Sequence, residues 1–280
     1  MREPSWMLAA VINVSEGREL ERIASIAASA GDHCLDVHTD ADHHRSVFWL
    51  AGPEVEDAAR SVTRTAVEQL DLTDHDGVHP RIGVVDVVPF VPVGGGATIS
   101  DAVVARDAFA RWAADELGLP CFLYGTERSL PDVRKHAFVD LTPDTGPAAP
   151  HPSAGACAVG ARNPLVAYNL WLDGHDLATA KAIAATVRSP DVRALGLQVG
   201  AFVQVSCNLI NPTAVGPADI YDAVLPHAAV ARAVLVGLIG REVLTAVPRE
   251  RWAELDLGED RALEARLEEA GLGGSSAPRR

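Results

Sequence analysis

His79 and Arg81 are the residues of this 280-residue chain whose types and spacing first suggest chemistry. They flank Pro80, directly before an apolar stretch rich in β-branched residues. Gly77 and Pro80 both disfavour a helix, so His79 is expected in an irregular turn. An unperturbed imidazole has a pKa near ~6.5 and can take up and return a proton at neutral pH. Two roles stay open for His79: general acid–base, or a residue that only caps the turn.

A second polar segment, residues 38–45, has the sequence HTDADHHR and is dense in ionisable groups. Histidines and aspartates are common metal ligands. A hairpin loop, however, directs adjacent side chains apart. His75 and His79 have the spacing of an HExxH motif but lack its glutamate and its helix. We therefore expect no metal site, and we interpret the segment as a polar loop that faces the substrate.

The composition restricts the class of partner. The chain is 48% hydrophobic and 22% charged with a net charge of −14, as in a globular protein that binds neither nucleic acid nor an anionic membrane. An anionic small substrate would need arginines concentrated in a cleft. The four cysteines are far apart and no apolar run resembles a signal peptide or a membrane span, which predicts a soluble cytoplasmic protein.

The elements that must position the polar segments alternate between strands and helices. In the first half we expect strands at 8–14, 35–37, 46–51 and 82–88, the last buried on both faces and ending at Pro89 and Pro92. Helices are expected at 20–30 and 53–70, followed by a helix at 101–117, capped by Thr98 or Ser100, and a strand at 121–124. This β-α-β-β-α-β order is typical of a ferredoxin-like split βαβ sheet.

The second half repeats this order. Strands are expected at 165–172, 192–199, 203–210 and 236–244, with helices at 176–188 and 217–233 and a charged helix at 251–270. The fold class is therefore α/β (α+β), with two split-βαβ subdomains and a ligand groove between them. Between the halves, residues 143–160 are rich in Pro, Gly and Ala, typical either of a linker or of a surface that contacts a planar ligand.

Several motifs, in order along the chain, resemble those of the glutamate formimidoyltransferase family, whose domain also occurs in the bifunctional formiminotransferase-cyclodeaminases. The motifs are NVSEGR at 13–18, LDVHTDADHHRSVF at 35–48, HPRIGVVDVVPFVPV at 79–93, LYG at 123–125, PDTGP at 143–147, VGAR at 159–162 and QVSCNL at 204–209. HPR followed by VDVVPF is highly specific, whereas LYG alone is weak. The resemblance extends from residue 13 to about 248.

The resemblance implies transfer of a formimidoyl group from N-formimidoyl-L-glutamate to N5 of tetrahydrofolate, a co-substrate that can carry a polyglutamate tail, in histidine degradation and one-carbon metabolism. It implies an N-terminal subdomain at 1–164, a C-terminal subdomain at 165–280, and His79 as the acid–base. Arginines inside the matched motifs become candidates to bind substrate carboxylates, with a surface salt bridge as the alternative for each: Arg18, Arg45, Arg81 and Arg162. The implied folate-binding segment consists of Gly146, Pro147, Ala148, Ala149, Pro150, His151, Pro152, Ser153, Ala154 and Gly155.

The chain departs from the family pattern at two places. His44 stands where the resemblance leads us to expect an asparagine, and the connection between Tyr124 and Pro143 is short. These changes keep open a paralogue that transfers a formyl or formimidoyl group to another amine; a non-catalytic folate-binding protein is the other alternative. We expect no cyclodeaminase domain, and we expect a homodimer, because edge strands of split-βαβ sheets often pair.

Overall fold

Apolar strands and amphipathic helices alternate along the chain and form two units, in which four strands share one order. The computed structural model describes residues 7–73 and 75–272. Contacts divide these residues into an N-terminal unit, 7–163, and a C-terminal unit, 164–272.

The N-terminal unit holds the first six strands. Its elements are β1 (Met7–Val14), α1 (Leu20–Ala28), β2 (Cys34–Asp40), β3 (Arg45–Ala51), α2 (Val55–Gln69), β4 (Val85–Gly94), α3 (Ile99–Leu117), β5 (Cys121–Tyr124), α4 (Leu130–His136) and β6 (Cys157–Ala161). The sheet order is β2-β3-β1-β4-β6-β5. The first four strands are antiparallel, and β6 joins β4 and β5 in parallel.

The C-terminal unit begins at β7 and repeats the pattern. Its elements are β7 (Val166–Leu172), α5 (Leu177–Val187), β8 (Val192–Val199), β9 (Phe202–Leu209), α6 (Pro217–Val224), β10 (Val230–Val236), α7 (Arg241–Thr245) and α8 (Leu263–Glu269). The antiparallel order β10-β7-β9-β8 equals the order β4-β1-β3-β2 of the N-terminal unit: fourth, first, third, second. The predicted split-βαβ fold is confirmed in both units.

The core of the N-terminal unit explains which face of its sheet is available. Alternate residues of β1, such as Ala10 and Ile12, are buried together with apolar residues of α1, α2 and α3. Each fully buried aliphatic or aromatic side chain contributes about 1.5–3 kcal/mol. On the opposite face, Phe122 and Tyr124 pack against Val133 of α4. Residues that alternate with Ala10 and Ile12 along β1, such as Asn13, therefore project from the other face of the sheet, which does not carry α1, α2 and α3.

The structure corrects the predicted course of β4 and adds two elements. We expected this strand to end at Pro89 and Pro92, but it runs through both and is buried from Val85 to Val91. Its register with β1 is the same on both sides of Pro89, with Ala10 opposite Phe90 and Asn13 opposite Val87. Helix α4 and strand β6 were missed, and β6 occupies the end of the segment that resembled a linker.

The C-terminal unit corrects three further boundaries. The helix expected at 217–233 ends at Val224, because Pro226 cannot continue it. The strand expected at 236–244 is instead Val230–Val236, and 241–245 is the short helix α7. The charged helix expected at 251–270 is reduced to α8 with short 3-10 turns before it.

At the start of α3, in the N-terminal unit, Thr98 is the capping residue, because its Oγ1 accepts from Asp101 N–H. No helix in the described ranges is long and apolar enough to cross a membrane.

Candidate active site around His79

The turn that carries His79 lies between α2 and β4, and we call residues 75–83 the His79 turn. Its close approach to the β2–β3 hairpin depends on Gly77. A Cβ atom there would lie 2.3 Å from Nη2 of Arg81 and 2.7 Å from the carbonyl oxygen of His43. Any larger residue would push the turn and the hairpin apart, so the glycine permits the contacts that form the site.

Arg81 connects the His79 turn to the hairpin. Its Nη1 and Nη2 donate to the carbonyl oxygens of His44 and His43, at 3.1 and 2.9 Å. Nε donates to the carbonyl oxygen of His79 at 3.2 Å, and Nη1 also lies 2.8 Å from Nε2 of His75. Four donor contacts of this guanidinium thus go to the protein itself. The geometry gives Arg81 a structural role beside the predicted carboxylate contact, which stays a prediction.

Arg45 links the end of β1 to the imidazole of His79. Its Nε and Nη2 both donate to Oδ1 of the buried Asn13, the former at 3.1 Å. Its Nη1 lies 2.6 Å from Nδ1 and 2.8 Å from Nε2 of His79. Nδ1 of His79 also lies 2.8 Å from the carbonyl oxygen of Pro80. The imidazole of the residue predicted as acid–base is therefore in direct contact with Arg45, one of the four predicted arginines.

The surroundings of His79 favour its neutral form. Burial is the largest cause, and the positive charges of Arg45 and Arg134 add to it, so the pKa of His79 lies well below its usual value. Burial also lowers the pKa of Arg45 to about 10, although Asp86 counteracts this. A neutral imidazole at pH 7 has one nitrogen free to accept a proton, as a general base requires.

Arg18 lies at the outer side of the same site. Its Nη1 forms an ion pair with Asp76 at 2.6 Å, and its Nε donates to the carbonyl oxygen of Ala41 at 3.0 Å. His44 lies behind this pair, with Nδ1 3.1 Å from the carbonyl oxygen of Asp76 and Nε2 3.2 Å from Oε1 of Glu16. Since Arg18 is about half exposed and Asp76 largely exposed, a substrate carboxylate could compete for Arg18 at little cost.

Glu16 and His44 each have a local reason for their position. Burial alone would raise the pKa of Glu16, but the N–H groups of Arg18 and Glu19 and the nearby His44 bring it below its usual value. His44 has φ +48°, a left-handed conformation in which Asn, Asp and His are enriched. The histidine therefore fits the backbone of a position where the family resemblance led us to expect an asparagine.

Arg162 directly follows β6, and its guanidinium interacts with Tyr124, which lies close enough to Arg45 and Arg134 to interact with both charges. The backbone N–H of Arg162 donates to the carbonyl oxygen of Phe90 on β4 at 3.2 Å. Burial raises the pKa of Tyr124 to about 12. A Cβ atom on Gly160 would lie 2.1 Å from the Tyr124 ring, so the glycine lets that ring lie across β6.

The structure offers neither a metal centre nor a reactive thiol among the described residues. No group of three or more His, Cys, Asp and Glu side chains there could hold a metal ion. Cys121, Cys157 and Cys207 are buried, and burial raises the pKa of each thiol, to about 12 for Cys121 and Cys207. Burial also raises the pKa of the partly exposed Cys34 to about 11. None of the four is activated as a nucleophile.

Comparison with known proteins shows which family the chain belongs to. A family model described as formiminotransferase domain, N-terminal subdomain, matches residues 7–162. The chain belongs to the formiminotransferase family. A glutamate formimidoyltransferase of Streptococcus pyogenes is 35% identical over 275 residues, covering 88% of this chain and 90% of the relative. One from Thermoplasma acidophilum is 32% identical over 295 residues, covering 93% and 97%. The formimidoyltransferase-cyclodeaminase of Sus scrofa is 32% identical over 277 residues, covering 87% of this chain but 50% of that protein.

In this formiminotransferase, the segment implied to bind folate has two structurally different parts. Residues 146–150 are exposed. Residues 151–155 form a tight turn, in which His151 N–H donates to the Gly155 carbonyl oxygen at 2.7 Å and Gly155 N–H to the His151 carbonyl oxygen at 2.9 Å. Val84 N–H donates to the carbonyl oxygen of Ala154 at 3.0 Å, and Gly83 bridges to Gly155. The buried end of the segment therefore borders the His79 turn.

Other side chains of the formiminotransferase site were not singled out from the sequence. Glu16 and Asp76 contact Arg18 and His44 across separations of up to 58 residues, which no local pattern encodes. Arg134 comes from the missed helix α4, so nothing pointed to it. Asp86 did carry a signal: a lone carboxylate inside a strand expected to be buried on both faces must have a partner.

Proposed function

We propose that this protein is a glutamate formimidoyltransferase, a one-carbon-group transferase that moves the formimidoyl group of N-formimidoyl-L-glutamate to N5 of tetrahydrofolate. The observation that carries the proposal is a partly buried histidine in the HPR turn of a formiminotransferase, in contact with Arg45 and with its pKa held below the usual value. Membership of the family and the names of the two most fully covered relatives support the reaction class.

His79 serves this chemistry as one group with two tasks. N5 of tetrahydrofolate attacks the amidine carbon, and the resulting tetrahedral adduct carries a proton on N5. His79 accepts that proton and then donates it to the glutamate nitrogen, whose bond to the carbon breaks. The products are 5-formimidoyltetrahydrofolate and glutamate, and the imidazole is again neutral. General acid–base catalysis of this type contributes ~10²–10⁴-fold in rate.

The low pKa of His79 suits both tasks. Once N5 has attacked, it is cationic and therefore acidic, so a weak base can deprotonate it. The imidazolium that forms beside Arg45 and Arg134 is a strong acid, which favours rapid transfer to the leaving nitrogen. Alignment of the two bound substrates contributes further, up to about 7–11 kcal/mol in well-oriented reactions.

Both substrates carry carboxylates, and the arginines supply the opposite charge in a chain of net charge −14. We assign Arg18, Arg45 and Arg81 to the end of the site nearest His79, and Arg162 to a contact beside Tyr124. A guanidinium can bind a carboxylate through two parallel hydrogen bonds. We assign the exposed residues 146–150 to the folate, with no metal in the reaction. The two units as the transferase subdomains, the groove between them, the homodimer and the cytoplasmic location remain proposals.

The test is a turnover assay with purified protein, tetrahydrofolate and N-formimidoyl-L-glutamate, in which the product is measured after acid conversion to the methenyl form. We expect product from the wild-type protein and a rate at least ~10²-fold lower for His79→Ala. His227→Ala, at an exposed histidine after α6, is the matched control and should keep wild-type turnover.

Each other outcome has a distinct meaning. Wild-type turnover in His79→Ala would contradict the proposed mechanism. Tight folate binding without product would contradict the proposed donor and favour a paralogue that acts on another amine. Absence of both binding and product would contradict the proposed function altogether.

A further inference from the structure

A buried ion pair lies directly behind the His79 turn. Nη2 of Arg134, on α4, lies 2.6 Å from Oδ2 of Asp86, on β4, and Nη1 lies 3.2 Å from Oδ1. Asp86 is 1% exposed. Paired, bidentate contacts of this kind are strong and have a defined geometry. The two residues are 48 positions apart in sequence, so the pair fixes α4 relative to the start of β4.

Both members of the pair also hold the backbone of the His79 turn. Nη1 of Arg134 donates to the carbonyl oxygen of Pro80 at 2.6 Å. Oδ1 of Asp86 accepts the N–H of Ile82 at 2.8 Å. Arg134 thus binds the turn at the Pro80 carbonyl oxygen, and Asp86 binds it two residues later at the Ile82 N–H. Together they fix the direction in which the Pro80 carbonyl points.

That carbonyl determines which nitrogen of His79 carries the proton. The Pro80 oxygen lies 2.8 Å from Nδ1 of His79. A carbonyl oxygen can only accept, so Nδ1 must be the N–H donor of this contact. A neutral imidazole has a single N–H, which leaves the lone pair on Nε2.

The contact with Arg45 does not distinguish the two nitrogens. Nη1 of Arg45 lies 2.6 Å from Nδ1 and 2.8 Å from Nε2 of His79, so it faces both. The Pro80 carbonyl oxygen can only accept, and it is this contact that assigns the hydrogen to Nδ1.

We propose that Asp86 and Arg134 are positioning residues that hold His79 in its Nδ1–H tautomer, so that Nε2 is the atom that exchanges the proton with the substrates. The catalytic part rests on the proposed function, whereas the tautomer is a property of the resting protein. Without the ion pair, the Pro80 carbonyl could turn away and both tautomers would be populated. Only a fraction of the molecules would then present the correct nitrogen.

The charges around His79 make the roles of the two residues separable. Positive groups face His79 from three elements. They are Arg45 on β3, Arg134 on α4 and, when it is protonated, His43 in the hairpin turn. The ring centroid of His43 lies 5.9 Å from that of His79. Asp86 supplies the opposite charge behind Arg134. Asp86→Asn removes the negative charge and should lower the pKa of His79 further. Arg134→Gln removes a positive charge, leaves Asp86 unpaired, and should raise that pKa.

The first test observes the tautomer directly and needs no turnover. Protein labelled with ¹⁵N-histidine is compared with labelled His79→Gln, in which the His79 signals are missing. We expect a protonated Nδ1 and an unprotonated Nε2 in the wild-type protein at neutral pH, and averaged signals in Asp86→Asn and Arg134→Gln. An Nε2–H tautomer in the wild type, or unchanged His79 signals in both folded variants, would overturn the inference even if the enzyme is active.

The second test uses kinetics. We expect kcat about 10- to 100-fold lower in both variants, within the ~10²–10⁴-fold that acid–base catalysis contributes, with KM little changed. The acidic limb of the kcat/KM profile should move to lower pH in Asp86→Asn and to higher pH in Arg134→Gln. Arg134→Lys keeps one donor for Pro80 and should recover part of kcat.

Several results would contradict the positioning role. These are a rise in KM alone, limbs that shift in the same direction, or no recovery by lysine. Thermal melts show whether the variants fold. Because the side chain of Arg134 is 18% exposed, its variants keep the inference testable if Asp86→Asn unfolds. If the wild-type protein shows no turnover, the proposed function fails, and the ¹⁵N spectra still decide the tautomer.

Discussion

Nη1 of Arg45 lies 2.8 Å from Nε2 of His79, while two other nitrogens of the same guanidinium donate to Oδ1 of Asn13. This relationship holds a cation against the imidazole, and Arg45 is also one of the arginines that we propose to bind a substrate carboxylate. In the resting protein the cation disfavours protonation of His79. A bound carboxylate would offset part of that charge, so substrate binding and proton uptake at His79 are coupled.

The coupling predicts two different pH profiles. Below its pKa His79 is protonated and cannot accept the N5 proton, so activity is lost as the pH falls through that pKa. The kcat/KM profile reports the free enzyme, and its acidic limb should lie well below pH ~6.5. The kcat profile reports the complex, in which carboxylates raise the pKa of His79, so its limb should lie at higher pH. Coincident limbs, or a kcat limb at the lower pH, would show that the substrates do not offset the arginines.

Replacement of Arg45 tests the same charge from the protein side. Arg45→Met removes the cation, so the pKa of His79 should rise and the kcat/KM limb should move to higher pH. The change also leaves Oδ1 of the buried Asn13 without its donors, which costs about 1–3 kcal/mol of unfolding free energy. Urea unfolding and pH–rate profiles measure the two effects. Arg18→Met, whose partners are the exposed Asp76 and Ala41, is the control and should leave the limb in place.

The fold was predictable where packing follows the local pattern. Strand and helix order in both units came from the alternation of apolar and polar residues. Prediction failed where tertiary contacts decide. β6 has the sequence CAVGA and resembled a linker, but its small residues fit between β4 and β5, where Gly160 lies under the ring of Tyr124. The prolines of β4 likewise lie within a strand that pairs with β1 on one side and with β6 on the other.

The site was predictable only where a motif marks it. His79, Arg45 and Arg81 lie in specific motifs, and the structure places them in one cluster. Arg162 lies in a motif too, and it joins the cluster indirectly, through Tyr124, which interacts with Arg162 and Arg134. Arg134 could not be found, because its contact with Pro80 spans 54 positions and begins in a helix that the sequence did not indicate.

Arg81→Lys separates a substrate contact from a structural one. If Arg81 only binds a substrate carboxylate, as predicted from the sequence, the change should mainly raise KM. In the structure, three backbone carbonyl oxygens accept from Arg81, and one ammonium cannot reproduce the planar arrangement. We therefore expect lower kcat and a lower melting temperature as well. A rise in KM with unchanged melting would show that the carbonyl contacts contribute little and that Arg81 acts on the substrate alone.

Gly77→Ala tests whether the close approach of the His79 turn to the hairpin is needed. The new methyl group would lie 2.3 Å from Nη2 of Arg81 and 2.7 Å from the His43 carbonyl oxygen, so one of these must move. Overpacking of this kind costs about 1–3 kcal/mol, and the displaced Arg81 should lower kcat as well. Gly94→Ala is the matched control, because a Cβ atom at this exposed end of β4 meets no atom within 4 Å. Urea unfolding and turnover of both variants decide the matter: equal stability and activity would mean that the turn can separate from the hairpin without loss of the site.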